Sequence, residues 1–260
     1  MNSIFGLLLN LGMHIGSYSH LTKTSNYIYL LGNRKNFSII DIQSILYQIK
    51  RTLFFLKELG KINSFLLFYH SNIQHFPFYF KLFLVHFLNI RYKQGFVDQP
   101  WSYGQLSNLF TQIRHLFYTL FYLDSDLKDN RKKIEYSFYN LFHRLLFFTL
   151  YKRLTGVSWL SNFNSVKKFW RFFFFFKYYS FCKDFPDSFI YLNGNNSQIP
   201  IVEAETMHIP SILVSNTSIS SVGSSYFILS NVSSLIITLF YFILFMNSYN
   251  YGLLGHFIKK

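Results

Sequence analysis

Cysteine, histidine, paired carboxylates and nucleophilic serine are the side chains whose spacing could carry chemistry here. Cys182 is the only cysteine, which excludes an internal disulfide and a multi-cysteine zinc site and fits a reducing compartment. His70 and His75 are spaced i, i+5, whereas a helical zinc pair needs i, i+4 so that both imidazoles leave one face. His14 and His20 have no carboxylate companion nearby. Glu203 and Glu205, at i and i+2 on an expected helix, face different ways and do not form an acid/base pair. Gly156-Val157-Ser158-Trp159 does not fit the GxSxG turn that exposes a catalytic serine. Neither GxGxxG nor GxxxxGK[ST] occurs, so the glycine-rich phosphate cradles of dinucleotide and P-loop enzymes are missing from the sequence. Each histidine therefore reads as an ordinary core or surface residue. A non-enzymatic chain is expected, with no catalytic residue, metal, cofactor or small-molecule substrate.

What remains is positive charge. The net charge is +14 over 260 residues, and it is unevenly placed. Up to Asp187 there are 23 Lys and Arg against 9 Asp and Glu, whereas beyond it two terminal lysines meet two glutamates. A basic, aromatic-rich chain has two ordinary partners, the phosphates of a nucleic acid and the anionic face of a membrane. The lack of balancing acids between Lys152 and Arg171 favours phosphate contact over a merely solvated helix surface. With 34 Phe, 20 Tyr and 20 Asn against one alanine and 5 Pro, residues of A/T-rich codons have displaced those of G/C-rich ones. Such bias fits an organelle genome, and it makes phenylalanine a poor marker of function.

A bilayer span needs ~20 apolar residues, and the candidates fall short. Met1–Gly16 has an apolar core of only Leu7–Leu11 without a preceding cation, which makes it a poor signal peptide. Tyr226–Met246 is interrupted by Ser230, Asn231, Ser233, Ser234 and Thr238, and reads better as a buried helix capped at Ser230 or Asn231. Phe172–Phe176 is shorter still. A multi-pass or tail-anchored organellar membrane protein is the alternative to a nucleic-acid partner, and membrane is the less favoured partner.

The elements that must position these groups alternate between strand and helix. Tyr27–Leu31 and Phe37–Ile42 read as extended segments around the polar turn Gly32–Asn36. Asp41 or Ser44 can cap a helix over Ile45–Leu59, which Gly60 closes. Ser64–Tyr69 is a continuous apolar strand, Ile73–Leu88 a helix and Gly95–Val97 a short strand, a β-α-β order that implies an open parallel sheet. Pro100–Asn108 is the loop by which the chain leaves this pattern, with Trp101 as a buried anchor beneath it. From about Gln105, apolar residues at helical spacing surround a charged tip between Asp124 and Lys133, which predicts an inserted αα-hairpin. Strand Ser188–Leu192, helix Ile199–Met207, strand Ser211–Ser215 and helix Val232–Met246 then complete the sheet domain. The expected division is 1–104 and 184–260 as two parts of one α/β domain, with a helical hairpin and basic aromatic extension at 105–183.

Several short motifs occur together in this order. Leu11-Gly12-Met13-His14-Ile15-Gly16 resembles the "AGVHFGH" opening of the bacterial-type small-subunit ribosomal protein two family. Gly32 to Gln43 is similar to the family's "GxRNxxHIIDLxKT", Gly60-Lys61-Ile62 to the start of "GKILFVGT", and Pro100 to Asn108 to "RWLGGTLTN". Phe185-Pro186-Asp187 resembles "LPD", and Glu203-Ala204 followed by Ile209-Pro210 resembles "EAxxLxIP". Pro100 stands where the family has arginine, Ser17 where it has a second histidine, Ser215–Ser218 where it has "VDTN", and Ile228–Leu235 where "IPGNDDAI" carries two acids.

The resemblance implies a three-layer α/β/α domain with a mainly parallel, about five-stranded sheet and an inserted coiled-coil αα-hairpin. It also implies a structural component of the small ribosomal subunit near the junction of head and body, bound to small-subunit rRNA and neighbouring ribosomal proteins. Charge and position select Lys23, Arg34, Lys35, Trp101, Asn108 and Arg114 around the sheet edge, and Lys128, Arg131, Lys132 and Lys133 at the hairpin tip, as RNA-contacting residues. The codon bias and a family match beginning close to Met1 predict an organelle-encoded protein of the mitochondrial matrix ribosome, without a cleaved presequence.

Overall fold

The computed structural model describes residues 2–71, 94–97, 101, 103–108, 185–194 and 198–258. The chain divides into two compact units, Met1–Ser107 with Phe175–Lys260, and Asn108–Phe174; all described residues except Asn108 belong to the first. The expected helix Ile73–Leu88 and the body of the expected hairpin lie outside the described residues.

In chain order the first unit contains α1 (Asn2–Asn10), β1 (Ile15–Tyr18), β2 (Leu30–Arg34), β3 (Phe37–Ile40), α2 (Ile42–Lys61), β4 (Leu66–His70), β5 (Gly95–Val97), β6 (Ser188–Leu192), α3 (Ile199–Thr206), β7 (Ser211–Ser215), β8 (Tyr226–Leu229) and α4 (Leu235–Ile258). Strands β4 to β8 form an entirely parallel five-stranded sheet in the order β5-β4-β6-β7-β8. Strands β4, β6 and β7 are buried at every position, which is why the sequence shows them as unbroken apolar runs rather than alternations. Side chains still alternate between the faces. Phe68, Ile190, Leu192, Ile212 and Val214 enter a core built with α2 and α4, so Tyr69, Phe189, Tyr191 and Leu213 point the other way. There they lie under α3, Trp101 and the turn at residues 103–106, which gives an α/β/α arrangement.

Helix α2 takes Asp41, one of the two caps the sequence offers, and so begins at Ile42, three residues before the expected Ile45. The Asp41 carboxylate accepts hydrogen bonds from the N–H groups of Gln43 and Ser44, two of the donors that a helix start leaves without partners. Its other end corrects an expectation, because Gly60 lies inside the helix rather than closing it. A Cβ at Gly60 would collide with the Tyr249 carbonyl and lie 3.0 Å from Gly252 Cα; a Cβ at Gly252 would collide with the Lys57 carbonyl. The two glycines let the backbones of α2 and α4 meet, a close approach that no side chain could occupy.

The C-terminal stretch departs further from its sequence reading. Tyr226–Leu229 is the edge strand β8, and the final helix runs from Leu235 to Ile258, beginning later and ending later than Val232–Met246. Among the described residues, Leu235–Gly255 is one helix long and apolar enough to cross a membrane. It lies against α2 and the sheet with Tyr241, Phe242, Phe245, Met246, Tyr249 and Leu253 buried.

Near the N-terminus, β1, β3 and β2 form a separate antiparallel sheet in that order. Residues Thr24–Tyr29, expected in part as a strand, are a 3-10 helix leading into β2. The hairpin β2-β3 turns through Lys35 and Asn36, whose φ angles of 48° and 67° are both positive. That pair of left-handed residues matches the type I′ turn favoured by two-residue hairpins, and asparagine tolerates it.

Candidate nucleic-acid interface

The small sheet is held on its inner face by hydroxyl groups. The Ser17 N–H donates to Thr217 Oγ1 at 2.8 Å, and Ser38 Oγ shares a hydrogen bond with the same oxygen at 3.0 Å. Buried Asn26 donates its side-chain amide to the carbonyls of Thr217 and Ile219 at 3.0 and 2.7 Å, and the Lys23 N–H reaches Thr217 O at 3.0 Å. A Cβ on Gly16 would collide with Ser38 Oγ and lie 2.7 Å from Thr217 Cγ2, so this position needs glycine. The loop after β7 thus carries the sheet.

Because Ser38 faces inward, its neighbour Phe37 faces outward. Phe37 pairs with Tyr18 on one side and with Arg34 on the other, so the three form one row across the sheet. A second row joins Ile15, Ile39 and Gly32. Along β1 the register shifts between Ile15 and Tyr18, placing three steps of β1 opposite two of β3, and this bulge returns Tyr18 to the outer face. The Tyr18 and Phe37 rings stack at 4.6 Å between centroids, and His20 stacks on Tyr18 at 5.7 Å. Lys35 projects from the hairpin tip, and Lys23, Arg34 and Lys35 are all exposed.

Three described carboxylates have partners of their own. Asp41 caps α2, Asp187 accepts from the Phe65 N–H at 2.7 Å, and Glu58 pairs with Lys61. Among the described residues Lys61–Glu58 is the one ion pair, so Lys23, Arg34 and Lys35 have no carboxylate within ion-pair distance there. No group of three metal-binding side chains occurs among the described residues either.

Trp101 belongs to a different wall. Its indole meets Tyr69 and Phe189 edge-on at 5.1 and 5.3 Å, and the Trp101 backbone N–H donates to the Tyr69 hydroxyl oxygen at 3.2 Å. Burial pushes the Tyr69 hydroxyl above the ordinary tyrosine range, and the Trp101 bond offsets part of that rise. Gly104 has φ +81°, the conformation a turn takes most easily at glycine. Buried Glu203 from α3 accepts the N–H groups of Gly104 and Leu106 at 2.6 and 2.9 Å, which fixes the turn. Glu205 is exposed, so the two glutamates do face different ways.

A family model for ribosomal protein S2 matches residues 8–143, slightly more than half of the chain. The chain belongs to the ribosomal protein S2 family. No individually curated protein matches the sequence. The S2 family is structural rather than enzymatic, which makes this chain a structural ribosomal protein of the small subunit.

Within the S2 match, the structure gathers Lys23, Arg34 and Lys35 around the small antiparallel sheet. It sets Trp101 against the parallel sheet and leaves Asn108 exposed. Arg114, Lys128, Arg131, Lys132 and Lys133 lie outside the described residues. Sequence reasoning passed over Tyr18, His20 and Phe37. Their alignment depends on a bulge and a register, neither of which leaves a mark in the residue order. It also passed over Glu203 as an anchor, although the spacing had already turned this glutamate away from Glu205.

Proposed function

We propose that this chain is an organelle-encoded S2-family protein of the mitochondrial ribosome, acting in the matrix. It binds small-subunit rRNA and neighbouring ribosomal proteins near the junction of head and body, and so supports translation. The observation that carries the RNA reading is the exposed trio Lys23, Arg34 and Lys35, set around one small sheet and without carboxylate partners among the described residues. Cations placed in this way neutralise phosphates and release condensed counterions, so that affinity falls as salt rises. The mechanism is positioning: the parallel sheet and its helices form a rigid base, and the hairpin presents charge to the RNA backbone. Lys128, Arg131, Lys132 and Lys133 extend the same chemistry to the tip of the inserted helical hairpin.

Sedimentation of an organelle lysate, with the ribosomal subunits separated by magnesium depletion, tests the reading. The chain is expected to migrate with the small subunit. A free pool, or a fraction released from membranes only by detergent, would overturn it. Charge reversal at the four tip residues is expected to weaken subunit association, and unchanged association would remove them from the interface.

A further inference from the structure

The outer face of the small sheet carries more than charge. Cation–phosphate contact requires only Lys23, Arg34 and Lys35, and it does not explain why Tyr18, Phe37 and His20 form an exposed stack beside them. Tyr18 is 49% exposed and Phe37 36%, which is poor use of large rings if packing were their role. In the adjoining row Gly32 has no side chain, and a Cβ there would meet nothing within 4 Å. Flat π surface, a gap at Gly32 and an arginine in register with the rings are the parts of a platform on which a splayed base stacks while its phosphate meets a cation.

We infer that the face formed by Tyr18, Phe37 and Arg34 binds an unpaired rRNA nucleotide, the base stacking on the rings and the flanking phosphate lying against Arg34 and Lys35. This rests on the reading that the chain binds small-subunit rRNA. Single-stranded RNA is favoured over a protein partner by two features of the patch. Its charged members are all basic, and its rings lie exposed on a sheet face, stacked on one another rather than interdigitated as in a hydrophobic docking groove. Duplex RNA does not fit the chemistry, because its bases are already stacked and present their edges, not their faces, to a protein.

The test uses the full chain and two probes: a single-stranded RNA of about ten nucleotides carrying 2-aminopurine, whose fluorescence falls on stacking, and a blunt A-form duplex. Phe37→Leu keeps an apolar side chain on the sheet but removes the π face, and circular dichroism checks its fold. It is expected to weaken single-strand binding ~5- to 150-fold and to abolish quenching, without changing the salt dependence or the weaker duplex binding. Phe37→Tyr should bind as the parent does. Arg34→Gln should instead lower the slope of log affinity against log salt by about 0.7. Binding of Phe37→Leu within twofold of the parent, or an equal loss on both probes, overturns the stacking role. A photo-reactive phenylalanine analogue at position 37 that cross-links to protein rather than rRNA in assembled subunits overturns it as well. In all these failures co-sedimentation with the small subunit can persist, whereas loss of co-sedimentation refutes the underlying reading.

Discussion

Replacing Glu203 by alanine separates a structural anchor from a surface charge. Its carboxylate accepts two backbone N–H groups, from Gly104 at 2.6 Å and Leu106 at 2.9 Å. Leu106 is fully buried, so its N–H would be left without an acceptor, at a cost of about 1–3 kcal/mol. Gly104 is only half-buried, and water can take over part of its bond, which limits that loss to about 0.5–1.5 kcal/mol. The total is about 1.5–4.5 kcal/mol, carried locally by residues 103–106. Amide hydrogen exchange reads this directly, because a local opening made easier by that amount speeds exchange roughly 10- to 2000-fold. The Leu106 amide is expected to show it, while amides in β6 and β7 keep their protection. Glu203→Gln keeps one acceptor oxygen and should fall midway. Glu205→Ala, at an exposed position, should change stability by no more than about 0.5 kcal/mol. Leu106 exchange in Glu203→Ala indistinguishable from that in Glu205→Ala would refute the anchoring role.

The helix crossing gives a prediction of opposite sign at two nearby glycines. Gly252→Ala places a methyl group against the backbone of α2, which cannot yield as a side chain tip would, and should cost at least about 1–3 kcal/mol in urea unfolding. Gly255→Ala meets nothing within 4 Å and should be neutral or stabilising by up to about 1 kcal/mol, because alanine favours helix. Burial also raises the Tyr69 and Tyr241 hydroxyls above the ordinary tyrosine range. Both groups hold their proton more tightly folded than unfolded. Their contribution is complete below the unfolded value near 10 and is lost as pH rises beyond it towards the folded value, with a limiting slope of about 1.4 kcal/mol per pH unit for Tyr241. Urea midpoints between pH 9 and 11 should decline, less steeply in Tyr241→Phe; a flat profile would contradict the burial.

The parallel sheet was readable because its central strands are buried on both faces, so Ser188–Leu192 and Ser211–Ser215 are bounded in the sequence where they are bounded in the structure. Strand β8 escaped notice because Tyr226–Leu229 is followed after five residues, four of them polar, by another apolar run, and a short edge strand and a helix start look alike at that length. Gly60 has the position of a helix stop, yet it serves a contact with Gly252 almost two hundred residues away, a demand set by tertiary packing alone. At the interface, charge marked Lys23, Arg34 and Lys35 directly. Phe37 could not be told from the other phenylalanines of a chain that has 34 of them, because only its register with Tyr18 and Arg34 sets it apart.

The hydroxyl joint under the small sheet also sets an order of events during synthesis. Ser38 and Thr217, which share a hydrogen bond, are separated by 179 positions. At ordinary elongation rates, roughly 10–40 s pass between the appearance of one and the other. Through that interval the nascent hairpin has its turn and its cations but no floor beneath it. The small sheet thus gains its support late, after most of the chain is made, because the residue that holds it from below lies near the C-terminal end of the fold.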